Sequence, residues 1–214
     1  MSRPFFAIVV GCGLALMSSH ADDLGRALFT APSSDGRVVL AQASGKWAKT
    51  VYKGESVVQL SGEPVVYSRA ELGPRLNDQS VGISAMIMGG SYSRLHPRMG
   101  VAVLGRNGFH LRVAAGSEEL ELVYDGEVLG AVPFKWNPGA WQKIELIAFE
   151  LEGQWQLEGR CWNREAPRPN DPTIVHQIDD SEIRLPLVGK CSLTGSPYNG
   201  LPILYGGVRV FALN

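Results

Sequence analysis

The sequence lacks the motifs of several large enzyme classes. It has no Walker phosphate-binding loop, no Rossmann glycine fingerprint, no H-E-x-x-H zinc motif and no G-x-S-x-G nucleophile turn. Nucleotide-dependent enzymes, zinc proteases and α/β-hydrolases are therefore disfavoured. No segment has a convincing 3.6-residue apolar period either, which disfavours a helical fold.

An excess of charge of either sign is also missing. The chain has 20 Lys and Arg against 21 Asp and Glu, a formal net charge of −1. This balance gives no reason to expect a nucleic acid or an anionic membrane surface as the partner.

Cysteine is scarce, with three residues in the chain. Cys12 lies in the N-terminal apolar run, which leaves Cys161 and Cys191 as an even pair. In an oxidising compartment such a pair predicts a disulfide, and two free buried thiols are the alternative. Two Cys without a nearby pair of His do not supply the four ligands of a zinc site, so no metal is expected there.

The N-terminus has the layout of a secretory signal peptide. Arg3 supplies the positive charge, Phe5 to Met17 is a short apolar run, and Ser19 and Ala21 are small residues before a cleavage position. We therefore expect residues 1–21 to be a signal peptide and the protein to be exported to the periplasm or the extracellular space.

The same apolar run is too short to predict a transmembrane span. A second interpretation is a bacterial lipobox at Val9 to Cys12, in which Cys12 is acylated. The mature chain, residues 22–214, contains no linker that divides it and is expected to form one domain.

Glycine and proline are plentiful, at 25 and 13 residues. Short strand-like runs recur at about ten-residue spacing with turn residues between them, and Asn107-Gly108 and Asp125-Gly126 are strong hairpin signals. This pattern predicts an all-β sandwich or barrel. The predicted strands are 47–53, 56–60, 64–69, 80–88, 100–104, 109–114, 119–124, 127–133, 190–193 and 207–213, with a break at Gly73-Pro74 and a helical turn at 22–28.

A hairpin between Trp136 and Trp162 is the most regular part of the chain and holds four of the five tryptophans. Its first strand alternates between an apolar face around Ile144 and a polar face with Lys143 and Glu145. Both strands are long enough to lie in the middle of a sheet.

Several segments together resemble a known superfamily over residues 47–213. They are R-M-G-V-A-V, N-G-F-H-L, Y-D-G, W-N-P-G-A-W-Q-K-I-E-L, G-Q-W, G-R-C-W, P-R-P, G-K-C-S-L-T-G-S-P-Y-N-G-L-P-I and V-R-V. In order and spacing they resemble exported bacterial domains of the concanavalin A-like lectin/glucanase superfamily, nearest to its laminin G-like and 3-keto-disaccharide hydrolase groups. The resemblance implies a jelly-roll β-sandwich of two antiparallel sheets, one of them concave, whose concave face or rim loops bind carbohydrate in many relatives.

The chain departs from that pattern at positions that matter for catalysis. Relatives often carry an acidic residue before the last strand, where this chain has Tyr205, Gly206 and Gly207. The E-x-D-x-x-E motif of the retaining glucanases is absent. The nearest pair of carboxylates is Glu119 and Glu121, which an exposed hairpin edge explains equally well. No catalytic residue is assigned.

Candidate ligand-binding residues lie on the polar face of one strand and in neighbouring loops. Arginine recognises carboxylates and sulfates by paired hydrogen bonds, and aromatic rings stack on sugars or pack in the core. The predicted contacts are His110, Arg112, Arg94, Arg98, Trp162 and Tyr198.

The segment 163–186 holds four prolines and reads as a long irregular excursion. Its acidic residues Asp179, Asp180 and Glu182 match a calcium loop only in part, because the glycine-spaced ligand pattern is missing. No cofactor is expected, and Ca²⁺ is the alternative.

The sequence thus predicts an exported, lectin-like carbohydrate-binding module whose partner is a glycan or polysaccharide. The first alternative is a glycoside-cleaving enzyme of the 3-keto-disaccharide hydrolase kind, which rests on the resemblance alone. The second alternative is a protein-interaction or structural module of the cell envelope.

Overall fold

A computed structural model of the protein describes residues 25–31 and 40–213. Short strands joined by turns make up most of this part of the chain. The strands are β1 (Arg26–Ala31), β2 (Ala41–Ser44), β3 (Trp47–Tyr52), β4 (Glu55–Leu60), β5 (Ser68–Asn77), β6 (Val81–Gly89), β7 (Arg98–Val103), β8 (Phe109–Ala114), β9 (Glu119–Tyr124), β10 (Glu127–Pro133), β11 (Gln142–Leu151), β12 (Gln154–Asn163), β13 (Ile174–Asp179), β14 (Val188–Ser196) and β15 (Ile203–Ala212), with a 3₁₀ turn at Asp180–Glu182.

The strands form two antiparallel sheets. Sheet A has the order β13-β12-β11-β6-β15-β4-β3, with β1 paired to β15, and sheet B has the order β10-β9-β8-β7-β14-β5-β2. The chain changes sheet repeatedly, since β2, β5, β7–β10 and β14 lie in sheet B and the strands between them in sequence lie in sheet A. This arrangement confirms the predicted jelly-roll β-sandwich.

One hydrophobic core lies between the sheets, and strict alternation along the strands builds it. On β11, Ile144 and Leu146 are fully buried between the sheets, as the hairpin pattern predicts. On β12, Trp155 is buried and its ring centroid lies 5.5 Å from that of Phe109 on β8. Trp155 is therefore a core residue that joins the two sheets.

Two predicted elements are wrong near the edges. The predicted break at Gly73-Pro74 is absent, and β5 runs through both residues. Proline has no backbone N–H to donate to a neighbouring strand. Pro74 is tolerated in β5 because the pairing of β5 with β14 shifts register between Gly189 and Cys191, so the ladder requires no hydrogen bond from residue 74. Of the predicted helical turn at 22–28, residues 22–24 lie outside the described residues, and residues 26–28 belong to β1, which pairs with β15.

The excursion 163–186 is also more ordered than predicted. It contains β13, which pairs with β12 at the edge of sheet A, and the 3₁₀ turn. Residues 163–173, called the strap below, lie on the outer face of sheet A. Arg164 in the strap forms an ion pair with Glu55, and Arg168 forms one with Glu145.

The predicted disulfide is wrong, because Cys161 and Cys191 are free buried thiols. Cys161 is on β12, which packs across β9, whereas Cys191 is on β14, which packs across β15. Strands β12 and β15 are three strand spacings apart in sheet A, or about 14 Å. A disulfide needs Cα atoms within about 7 Å. Burial raises the pKa of the Cys191 thiol to about 12 and that of Cys161 further.

The predicted signal peptide, its cleavage position and Cys12 lie outside the described residues. Within the described ranges, no helix has the length and apolar character needed to cross a membrane.

Candidate functional site

The outer face of sheet B carries two neighbouring rows of side chains that point away from the core. The cross-strand pairing of β8, β7, β14 and β5 sets both rows. The first row is Arg112, Gly100, Thr194 and Arg69, and the second is His110, Ala102, Ser192 and Glu71.

Small residues on β7 lower the middle of this face. A Cβ atom at Gly100 would lie 2.2 Å from the carbonyl oxygen of Leu111, so no larger residue fits there. Ala102, two positions along, is fully buried. Strand β7 therefore forms a low floor between the longer side chains of its neighbours.

A trough of about 220 Å³ lies at one end of this face. We call it the sheet B trough. Its lining residues are Tyr67, Arg98, Met99, Arg112, Thr194, Gly195, Ser196 and Tyr198. It combines two tyrosine rings, two guanidinium groups and the aliphatic hydroxyl groups of Thr194 and Ser196, which can stack on a ring and donate hydrogen bonds to oxygen atoms.

The cations on this face differ in their partners. Arg112 forms an ion pair with Glu121 on β9, and Arg69 forms one with Glu71 at 2.7 Å. By contrast, Arg98 is exposed and takes part in none of the ion pairs among the described residues. Arg98 is therefore the guanidinium group in the trough that is free to bind an outside acceptor.

His110 lies beside the trough, two positions from Arg112 on β8. Its Nε2 atom donates a hydrogen bond to the carbonyl oxygen of Arg106 at 3.1 Å. Burial lowers the pKa of His110 to about 4, and the nearby charge of Arg112 acts in the same direction, while the bond to Arg106 opposes it. The ring is neutral near pH 7, so it suits hydrogen bonding better than proton transfer there.

Three loops meet at the rim of the trough. A Cβ atom at Gly62 would lie 2.0 Å from the carbonyl oxygen of Gly200, and Asn199 donates a hydrogen bond to the carbonyl oxygen of Gly90. These contacts bring residues 61–67, 90–97 and 197–202 together. Large exposed apolar side chains cluster in them, namely Val65, Val66, Tyr67, Tyr92, Leu95 and Tyr198.

Tyr67 is a site residue that the sequence did not reveal. The segment 64–69 reads as a strand, but the chain forms a rim loop up to Tyr67 and β5 begins at Ser68. Partial burial raises the pKa of the Tyr67 phenol, opposed by the charges of Arg69, Arg106 and Arg112. The phenol therefore lies near the guanidinium groups of this face. The turn residues Gly62-Glu63-Pro64, which precede Tyr67, are the sequence signal that could have indicated a loop here.

The structure brings together four of the six predicted ligand-binding residues. Arg98, Arg112 and Tyr198 line the sheet B trough, and His110 adjoins it. Arg94 lies in the rim, in a turn closed by the pairing of Tyr92 with Leu95. Trp162 does not belong to this group, because it lies on the outer face of sheet A, on the far side of the molecule.

The acidic residues of the segment 163–186 have a local structural role. Asp179 caps the 3₁₀ turn by accepting hydrogen bonds from the backbone and hydroxyl of Ser181. Glu182 accepts a bond from the backbone N–H of Asp179. Over residues 25–31 and 40–213, no group of three metal-ligating side chains could hold an ion.

Carboxylates on the outer face of sheet B are tied to arginines. Glu121 pairs with Arg112, and Glu71 pairs with Arg69. Strands β9 and β5, which carry these carboxylates, are four strand spacings apart, or about 19 Å. Glycosidases need two carboxyl groups within about 5–9.5 Å of each other. Glu119 lies two positions before Glu121 on the same face of β9.

No protein-family model matches the sequence, and no curated protein matches it. The similarity lies in the three-dimensional structure. The carbohydrate binding module CBM66 from Bacillus subtilis has 11% sequence identity and a TM-score of 0.56, over 81% of this chain and 95% of that one.

Two further solved structures are similar to the same extent. Lectin II from Ulex europaeus has 10% identity and a TM-score of 0.52, over 79% of this chain and 92% of that one. The marine PL-14 alginate lyase from Aplysia kurodai has 9% identity and a TM-score of 0.52, over 78% of this chain and 87% of that one. The chain thus has the concanavalin A-like jelly-roll fold.

Proposed function

We propose that this protein is an exported carbohydrate-binding module that recognises a glycan in the sheet B trough and on its rim. The observation that carries the proposal is that two exposed tyrosines lie beside an arginine that forms no ion pair with any described residue. Tyr67 is 49% exposed and Tyr198 is 43% exposed, and both line the trough with Arg98.

The chemistry of the trough suits a sugar ring. Tyrosine offers an apolar ring face together with a hydroxyl group, and the hydroxyls of Thr194 and Ser196 and the guanidinium of Arg98 offer donors for sugar oxygens. Because Arg98 has no carboxylate partner in the described part of the chain, its guanidinium also favours an acidic or sulfated glycan, which it can bind through two parallel hydrogen bonds.

The fold supports the proposal without deciding it, since one fold serves many functions. Two of the similar structures are named as a carbohydrate binding module and a lectin. A third is named as an alginate lyase, so cleavage of an acidic polysaccharide is an outcome that the experiment must be able to detect.

Affinity electrophoresis tests the proposal. The protein is run through gels that contain neutral, acidic or sulfated polysaccharides, each with Ca²⁺ and with a chelator, and the recovered polymers are analysed for cleavage. We expect retardation by an acidic or sulfated polymer, no cleavage and no effect of the chelator. Cleavage of the polymer would favour the glycoside-cleaving alternative.

Matched variants locate the binding surface. Tyr67→Ala and Tyr198→Ala are each expected to weaken retention about two- to tenfold, because each removes a stacking surface worth about 0.5–1.5 kcal/mol. Tyr52→Ala is the control, since Tyr52 lies on β3 at the edge of sheet A and does not line the trough. If all three variants are retained equally, or if no polysaccharide retards the protein, the site is refuted. The protein-interaction alternative then remains.

Export is a separate part of the proposal. Mass spectrometry of the protein recovered from its native host is expected to show a chain that begins at Asp22. A lipid-modified Cys12 at the N-terminus would instead establish the lipobox interpretation, and an intact Met1 would contradict export.

A further inference from the structure

A second cavity lies on the opposite face of the molecule, between sheet A and the strap. Its volume is about 390 Å³, within the usual range for small-molecule sites of about 300–1,000 Å³. The residues that matter for its chemistry are Met86, Lys143, Glu145, Trp162, Pro167 and Arg168.

The floor of the cavity follows from strand pairing. Lys143 on β11 pairs with Trp162 on β12 and with Met86 on β6, and Met86 pairs with Gly206 on β15. These four positions form one row across four strands. The row presents an indole ring, an ammonium group and a thioether, and it ends at Gly206, which the Met86 side chain covers.

Glu145 in the next row is already neutralised within the protein. Its side chain is 1% exposed and accepts hydrogen bonds from Arg160 at 3.3 Å and from Arg168 at 2.5 Å. Arg160 also pairs with Glu158 at 3.1 Å. This network fixes the strap over the sheet and gives the cavity a rigid wall.

The ion-pair network around Glu145 does not include the positive charge of Lys143. Its ammonium group lies 6.0 Å from the ring centroid of Trp162 and belongs to no ion pair within the described part of the chain. Counting Lys143, Arg160 and Arg168 against Glu145 and Glu158 leaves one positive charge in excess. The buried indole N–H of Trp162 also has no acceptor within the described ranges. The one carboxylate that lines the cavity among the described residues, Glu145, is thus already paired, whereas the ammonium group of Lys143 and the indole N–H of Trp162 are left to meet a ligand.

We propose that the cavity under the strap binds a small organic carboxylate of about monosaccharide size. The carboxylate accepts hydrogen bonds from Lys143, and the body of the ligand packs against Met86, Pro167 and the strap. This site is separate from the sheet B trough and does not depend on glycan binding there.

Gly207 gives a way to close the cavity without disturbing the network. It lines the cavity with a φ of +52°, and a Cβ atom there would meet no atom closer than the Met86 methyl carbon at 3.4 Å. Asparagine tolerates this backbone conformation better than most residues. Gly207→Asn therefore places a side chain in the ligand space while the backbone keeps its shape.

The test uses D-glucuronate as the carboxylate probe and D-glucose as its neutral analogue. Binding is followed in ¹⁵N–¹H spectra through the Trp162 indole signal, assigned with Trp162→Phe. We expect saturable shifts of this signal with glucuronate and none with glucose at the same concentration. Lys143→Met, which keeps the stem of the side chain, and Gly207→Asn are each expected to weaken binding at least tenfold.

Two control variants test whether binding belongs to this cavity alone. Lys53→Met removes a comparable lysine, which lies 5.5 Å from the ring centroid of Tyr52 outside the cavity, and is expected to bind normally. Arg112→Met alters the sheet B trough and is also expected to leave the Trp162 shifts unchanged. Equal shifts with glucose, no shift with glucuronate, or loss of binding in the Arg112 variant would overturn the proposal.

Discussion

The outer faces of the two sheets use the same kinds of residue for different purposes. On sheet A, Glu145 is 1% exposed and is held between two arginines under the strap. On sheet B, Arg112 and Glu71 keep about a quarter of their side-chain surface in solvent, and no segment in the described ranges forms a comparable strap over them. Arginine–glutamate pairs hold the strap on one face and border an open trough on the other.

The difference shows that alternation along a strand does not by itself decide what an outward side chain does. Lys143 and Glu145 on β11 and His110 and Arg112 on β8 follow the same two-residue period. What separates them is the loop above, because burial decides whether an ion pair is a structural element or a contact surface.

The largest effect is expected from breaking the buried network of sheet A. Glu145→Gln leaves Arg160 buried beside a neutral partner, and we expect it to lower the free energy of unfolding by about 3–5 kcal/mol. Urea unfolding measures this change. Glu71→Gln on sheet B is the matched control and is expected to lower it by less than about 1 kcal/mol. Similar losses in the two variants would contradict the contrast between the faces.

Acid is expected to destabilise the face of sheet B through His110. Its pKa is about 4 in the folded protein and about 6.5 when unfolded, so the unfolded chain takes up a proton first as pH falls. The stability that this shift contributes is present above pH 6.5 and is lost as pH falls to about 4. The loss is at most about 3 kcal/mol, and less to the extent that the ring is exposed.

His110→Gln is expected to remove that part of the pH dependence between pH 6.5 and 4, while His176→Gln on the edge strand β13 retains it. Urea unfolding at a series of pH values measures both. An unchanged pH profile in the His110 variant would show that its ring is solvated in the folded protein.

A smaller effect is expected from the pair that borders the trough. Arg112→Met removes the partner of Glu121, whose side chain is 8% exposed, and should lower the free energy of unfolding by about 1–3 kcal/mol. Adding Glu121→Leu should recover most of that loss, since no unpaired charge then remains. Thermal unfolding of both variants checks the prediction, and a double variant less stable than the single one would contradict it.

No effect is expected from reducing agent. Because Cys161 and Cys191 are free and lie under different strands, the melting temperature with and without dithiothreitol should agree. Thiol titration should find no reactive Cys161 or Cys191 in the folded protein and both in the denatured one. A fall in melting temperature on reduction would contradict the free thiols and support a disulfide between them.

The parts of the fold that were predictable are those that local patterns encode. Asp125-Gly126 and the alternation around it predicted β9 and β10 with their correct bounds, because the turn and the strand period lie within a few residues. Pro74 gave a false break, because the register shift that accommodates it depends on β14, which is more than 100 residues away.

The residues of the candidate site likewise divide into those that a local pattern identifies and those that depend on long-range contacts. His110 and Arg112 were recognisable because one strand places them on one polar face. Trp162 was grouped with residues that lie on the other sheet, since the sheet in which a strand lies is set by long-range pairing. Tyr67 was missed, because its loop reaches the trough only through contacts between the rim loops.

Hydrogen exchange tests the central claim most directly. Amide exchange is measured with and without the polysaccharide that retards the protein most strongly. We predict protection in the rim loops 61–67 and 197–202 and no change in the strap, residues 163–173. Protection of the strap with unchanged rim loops would place the glycan on sheet A and contradict the account.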